Sequence, residues 1–349
     1  MEIKKRIAGK TYDGENILEY SLMNDSGCHV SILNLGGIIT EICVPDKNNK
    51  IENVVLGYSN IEDYQQNPPF LGALVGRIAG RVSGAQFTID DETYLLEKNN
   101  NSSNLHGGPK GFDKFIWDVK EIYQDNSIAL EFNRLSPDKE MGFPGNLNVT
   151  VTYTFDNSNN LEINYFATTD KKTIITLTNH SYFNLSGNLK ENILSHILKI
   201  DADKFGAVTD EVLPTGEFVN VEGTAFDFRN GKLVSQDIYS KEQQIKNGGG
   251  YDHPFFLNTS SDSPISLYDE KSGRILNVTT DQPAVVLYTA NFLGTDLELQ
   301  NNKKSCNYLG LCLETQYYPD AINKESFPTY ILAPGDVYKA KTKFSFSTK

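Results

Sequence analysis

Two polar side chains each close or interrupt a segment that otherwise alternates like a β-strand. His180 ends Thr173-Ile174-Ile175-Thr176-Leu177-Thr178-Asn179-His180, and Glu314 lies within Leu309-Gly310-Leu311-Cys312-Leu313-Glu314-Thr315-Gln316. An imidazole and a carboxylate converging on one polar cleft are the minimum equipment for moving protons on a small polyol. Successive side chains of a strand point to opposite faces, so Leu309, Leu311 and Leu313 are predicted to turn one way and Cys312, Glu314 and Gln316 the other. By the same period His180 shares a face with Thr176 and Thr178, while Ile175 and Leu177 face away. Both segments are expected to be half-buried, with the two groups approaching a substrate from opposite directions.

The other histidines have plainer readings. His29 and His196 sit among apolar neighbours and are read as structural or surface groups. His106 lies in Leu105-His106-Gly107-Gly108-Pro109, where the glycines let backbone approach a ligand closely. Asp252 precedes His253 in Tyr251-Asp252-His253-Pro254-Phe255, and its carboxylate either serves a ligand or caps a turn. Arg77 and Arg81 stand among the regularly spaced glycines of residues 72–84; they either reach a sugar oxygen or a phosphate, or are surface cations in a flexible segment. No Gly-Lys-Ser/Thr follows, so this is no phosphate loop. No His-Glu-x-x-His or calcium-loop pattern occurs, and no metal is expected.

The elements that must position these groups are strands. Val149, Val151, Tyr153 and Phe155 alternate with threonines, and Leu161, Ile163 and Tyr165 alternate with polar residues; the polar run 156–160 joins them as a hairpin. Near the C-terminus Tyr338, Ala340, Thr342, Phe344 and Phe346 oppose Lys339, Lys341 and Lys343, a strand with one wet face whose lysines are expected to guard a sheet edge. Helix is predicted only in short pieces near residues 60–64 and 235–239, with a turn at Asn247-Gly248-Gly249-Gly250. No linker, repeat or low-complexity tract divides the chain. The expected architecture is all-β: large antiparallel sheets packed face to face as a single domain over residues 1–349, with a concave polar surface.

Composition narrows the partners. A formal charge of -13 over 349 residues disfavours nucleic acid and anionic membranes, which are bound largely through basic side chains. No apolar run approaches the length of a membrane span, and the N-terminus has no signal-peptide core, so a cytoplasmic location is expected. The 4 cysteines are too scattered for a metal ribbon or a disulfide scaffold and are expected to be free buried thiols.

Taken in order along the chain, a set of motifs resembles the aldose 1-epimerase (galactose mutarotase) family. They are Gly76-Arg77-Ile78-Ala79-Gly80-Arg81, Leu105-His106-Gly107-Gly108, Gly111-Phe112-Asp113-Lys114, Gly142-Phe143-Pro144-Gly145, Thr178-Asn179-His180-Ser181-Tyr182-Phe183-Asn184-Leu185, Leu213-Pro214-Thr215-Gly216, Phe226-Asp227-Phe228-Arg229, Tyr251-Asp252-His253-Pro254-Phe255, Tyr288-Thr289-Ala290-Asn291-Phe292 and Leu313-Glu314-Thr315-Gln316. The resemblance implies a β-supersandwich and interconversion of the α and β anomers of free sugars without a cofactor. It implies Glu314 as base and His180 as acid, with Arg81, His106 and Asp252 holding the sugar and Tyr182 lining the pocket. Many members carry asparagine where this chain has Gly80, and some carry glutamine where it has Val286. Both departures bear on the choice of hexose more than on the reaction.

Such a reaction needs a base for the C1 hydroxyl proton and an acid for the ring oxygen, each working in both directions, which favours pKa values near working pH. Glutamate starts near 4.3 and needs burial to rise. Three rivals stand beside this reading: a noncatalytic sugar-binding protein; a glycosidase using Glu314 and Asp252, in which His180 would be idle; and a hexose-phosphate 1-epimerase, supported only by Arg77 beside Arg81. Preferred aldose and oligomeric state, monomer or homodimer, are left open.

Overall fold

The alternating segments pair as antiparallel ladders in a computed structural model that describes residues 1–258 and 263–349. Three large sheets carry the architecture: one of 9 strands, one of 6 and one of 5 at the N-terminus. In the nine-stranded sheet, Leu147–Asp156 and Asn160–Thr169 form the expected hairpin, with Val149, Val151, Tyr153 and Phe155 buried.

The C-terminal strand, Tyr338–Thr348, buries its aromatic face as expected, but it is no edge. Asn160–Thr169 pairs along one side of it and Arg274–Thr280 along the other. Alternation reports a wet face; it carries no information about lateral neighbours.

Helical pieces are as scarce as the sequence implied. Short 3-10 turns occupy Ile61–Gln65 and Val234–Gln236, and the one α-helix among the described residues is Gln243–Gly248. It covers part of the segment read as a turn. Gly249, at φ 63°, ends it in the left-handed conformation that glycine adopts without a side-chain clash.

The six-stranded sheet positions the site. Its strands run in the order Tyr182–Phe183, Leu311–Gln316, Ala284–Tyr288, Asp252–Phe256, Lys204–Val208 and Pro214–Asn220. One face presents Leu311, Leu313, Val285, Leu287 and Phe255 to a core shared with the nine-stranded sheet. Phe183 meets Phe344 across this interface, with ring centroids 5.2 Å apart. Leu309 precedes the strand and packs instead with Cys312 and Tyr182, so the leucine stripe is two residues long. The opposite face of the sheet forms the floor of a cleft.

Three expectations are corrected here. The segments bearing His180 and Glu314 are buried on both faces, because loops wall the cleft over the polar face. The His180 segment is also not one strand: Thr173–Ile174 and Thr178–His180 pair with different partners. Of the free thiols Cys28, Cys43 and Cys312 are buried, but Cys306 is exposed.

Candidate active site

Register builds the floor of the cleft. Tyr182 pairs with Cys312 and Phe183 with Leu311; continuing that antiparallel register two residues along places His180 opposite Glu314. Glu314 pairs on its other side with Val286, which pairs with Pro254. The neighbouring row runs Tyr182, Cys312, Tyr288, Asp252. Residues two apart share a face, so both rows point into the cleft while His253, Leu287 and Leu313 point to the core.

The two central groups meet. His180 Nε2 lies 3.6 Å from Glu314 Oε1, and both side chains are nearly closed to solvent. They stand side by side on adjacent strands rather than opposed across a ligand. That suits the chemistry, because the C1 hydroxyl and the ring oxygen of a pyranose are both bonded to C1.

Burial tunes the pair. Loss of solvent raises the Glu314 carboxyl to about 8, Asp252 adds to the rise, and Arg81 opposes it. Burial lowers the His180 imidazole to about 4. Burial thus favours the neutral form of each group, a protonated carboxyl beside an unprotonated imidazole. His180 Nδ1 lies 3.5 Å from the Cys312 thiol, which helps fix the ring.

The remaining wall comes from a small ladder in which Leu105 pairs with Arg81. His106 follows at φ 52°, with Gly107 behind it at φ 88°. A Cβ on Gly107 would lie 2.0 Å from the Gly76 carbonyl, so only glycine allows this crossing. The His106 amide donates to Gly80 O at 3.0 Å, and the Gly80 amide donates to His106 Nδ1 at 3.2 Å. Phe70 packs edge-on against the His106 ring at a centroid distance of 4.8 Å. Burial, with His180 and Arg81 adding, holds the His106 ring neutral.

Nitrogens of His106 and His180 and an oxygen of Glu314 lie within 4.8 Å of one another, a spacing that invites comparison with a metal centre. The donor chemistry argues against it. Because Nδ1 of neutral His106 accepts the Gly80 amide, its proton sits on the other nitrogen, which then donates and has no lone pair for an ion.

Arg81, His106, His180, Tyr182, Asp252 and Glu314 all line one cavity of about 230 Å³, a volume suited to a monosaccharide. Tyr182 contributes its ring, since its hydroxyl is committed to the Pro69 carbonyl at 2.8 Å. Burial raises the Asp252 carboxyl, opposed by Arg81. Arg81 Nε donates to Asn100 Oδ1 at 3.2 Å, leaving its other nitrogens unassigned to this bond.

Arg77 goes elsewhere, and neither sequence reading of it holds. It is fully buried, donating to Ser136 Oγ and to the carbonyls of Ser136, Pro137, Pro144 and Gly145 at 2.8 to 2.9 Å. The phosphate-sugar reading thereby loses its support. His253 is likewise structural: its Nδ1 accepts the Asp252 amide at 3.0 Å, and burial lowers the ring to about 3.

Sequence reading missed Gln316 as a site residue, although it placed Gln316 on the face of Glu314. Its amide nitrogen donates to the Ala79 and Tyr317 carbonyls at 3.3 Å, while Oε1 is buried without a hydrogen-bond partner. An orphaned acceptor in the cavity wall is a ready receptor for a sugar hydroxyl. Gly80, at φ 78°, and Val286 also line the cavity, so the two departures from the family pattern do fall at the ligand surface.

An antiparallel β-sandwich whose cleft buries a carboxyl beside an imidazole, with further polar groups in its wall, has the architecture and equipment of an enzyme that moves protons on a small polar substrate. The chain belongs to the aldose 1-epimerase family, whose model matches residues 19–345. It is 39% identical to the galactose mutarotase of Bos taurus over 99% of both chains. It is 34% identical to the aldose 1-epimerase of Escherichia coli (strain K12) over 96% of both. The crystal structure of galactose 1-epimerase from Lactobacillus acidophilus superposes with a TM-score of 0.88 at 31% identity, covering 100% of this chain and 99% of that one.

Proposed function

We propose that the chain interconverts the α and β anomers of free aldohexoses, galactose and glucose among them, with Glu314 and His180 as the proton-transfer pair. Glu314 takes the C1 hydroxyl proton while His180 protonates the ring oxygen, and the C1–O5 bond breaks. Rotation about C1–C2 presents the other face of the aldehyde, and closure returns both protons. Each group ends as it began, so no step calls for a cofactor.

Ring opening in this direction starts with His180 protonated and Glu314 ionised, and ends with His180 neutral and Glu314 protonated. A C1 hydroxyl donating to Glu314 stabilises the carboxylate, and the Arg81 cation acts in the same sense. Arg81, His106, Asp252 and Gln316 supply the hydrogen bonds that hold the sugar, and the Tyr182 ring closes the floor. The single observation behind the assignment is the 3.6 Å approach of two buried groups of opposite proton character.

The core common to the large sheets supports one folding unit over residues 1–349, and four free thiols fit a reducing, cytoplasmic setting. No described helix is long and apolar enough to cross a membrane. Polarimetry on freshly dissolved α-galactose tests the activity. Acceleration of the approach to equilibrium is expected; sugar binding without acceleration, or release of product from an aryl galactoside, would overturn the reading.

A further inference from the structure

Away from the cleft, the N-terminal sheet carries a second cluster of chemically capable side chains. On the strands His29–Leu33 and Ile39–Pro45, His29 pairs with Cys43 and Ser31 with Glu41. Residues two apart share a face, so His29, Glu41 and Cys43 stand together on the side opposite Val30, Ile42 and Val44, which enter the main core.

Their donor atoms lie within 4.8 Å of one another. His29 Nε2 is 3.6 Å from Glu41 Oε2, while its Nδ1 is buried without a hydrogen-bond partner. Imidazole nitrogen, thiol sulfur and carboxylate oxygen together are the donor set of zinc and similar borderline cations, not of magnesium or calcium. Metal–ligand bonds of about 2.0 to 2.3 Å in a tetrahedron require donors about 3.3 to 3.8 Å apart. Closing the difference needs movement of about 1 Å, and Glu41, with its side chain 36% exposed, is free to swing. A depression lined by Glu41, Cys43, Asn53 and Gln300 gives access from solvent and room for water as the fourth ligand.

We propose that His29, Cys43 and Glu41 form a binding site for a zinc-class divalent cation, separate from the sugar cleft. A bound ion cross-links two neighbouring strands directly, so it stabilises the N-terminal sheet without entering the anomerisation chemistry.

Zinc titration of the reduced full-length chain by calorimetry, with thermal unfolding alongside, tests this. One site per chain is expected. Affinity should fall at least tenfold in both Cys43→Ser and His29→Gln, with loss of the zinc-induced rise in Tm. Circular dichroism without metal checks that each variant folds, and the partly exposed His29 carries the test should Cys43→Ser fail that check. Mutarotation by both variants should match the parent. Absence of binding, binding that survives both substitutions, or equal binding of magnesium would overturn the proposal.

Discussion

His180 Nε2 and Glu314 Oε1 approach to 3.6 Å just beyond a short ladder that pairs Tyr182 with Cys312 and Phe183 with Leu311. The strand carrying His180 leaves that ladder to pair with Ala73–Val75, yet the register carries through and keeps imidazole and carboxyl adjacent. The proton-transfer assignment depends on this adjacency.

Removing either proton carrier should stop chemistry without unfolding the chain. Glu314→Gln and His180→Asn are each expected to lower kcat for mutarotation by at least about a hundredfold. Coupled polarimetry gives the rate and circular dichroism the fold; rates near the parent in either variant would remove that residue from the mechanism.

The pH profile should report the pair rather than either residue. Activity requires exactly one proton on the two groups, so kcat/KM should be flat between the lowered His180 value of about 4 and the raised Glu314 value of about 8. It should fall below the first limb, where no base remains, and above the second, where no acid remains. A profile still climbing beyond pH 9 would contradict this.

The same shift makes a prediction about stability. Glu314 has a folded pKa raised well above its unfolded value, so the native state binds the extra proton between about 4.5 and about 8 and loses stability as pH rises through that window. Glu314→Gln removes this loss. Its Tm relative to the parent should therefore be higher at pH 8.5 than at pH 5; an unchanged difference would show that the carboxyl is not desolvated.

Sugar-holding residues should separate from catalytic ones. Asp252→Ala removes a charged hydrogen bond of about 1.5 to 3 kcal/mol, raising KM for galactose about 10- to 150-fold. Gln316→Leu deletes the buried acceptor and should raise KM by a smaller factor. Unchanged affinity would take the substituted residue out of the site.

Arg77 should behave as part of the fold. Arg77→Met leaves four carbonyls, three of them buried, and one hydroxyl without their donor, at a cost of at least about 3 kcal/mol in chemical denaturation. Glucose 6-phosphate should gain no rate advantage over galactose, in the parent or the variant. A phosphate-dependent preference lost with Arg77 would reverse this assignment.

Local periodicity is a property of a few consecutive residues, and what it governs was legible in advance. The hairpin of residues 147–169, the buried aromatic face of Tyr338–Thr348, and the turning of Glu314 away from Leu311 and Leu313 all follow from a side-chain period of two. Ordered motifs added the family and, with it, the pairing of His180 with Glu314.

Which strands lie side by side, and what closes over them, depends on contacts between residues far apart in the chain, and no local pattern encodes that. Tertiary structure alone made Tyr338–Thr348 a central strand rather than an edge. It sent Arg77 into a cage of carbonyls while Arg81, four residues on, reached the cleft. It also left Gln316 Oε1 unpartnered in the cavity wall and raised the Glu314 carboxyl, because desolvation is a property of everything packed around a group and not of its neighbours in sequence.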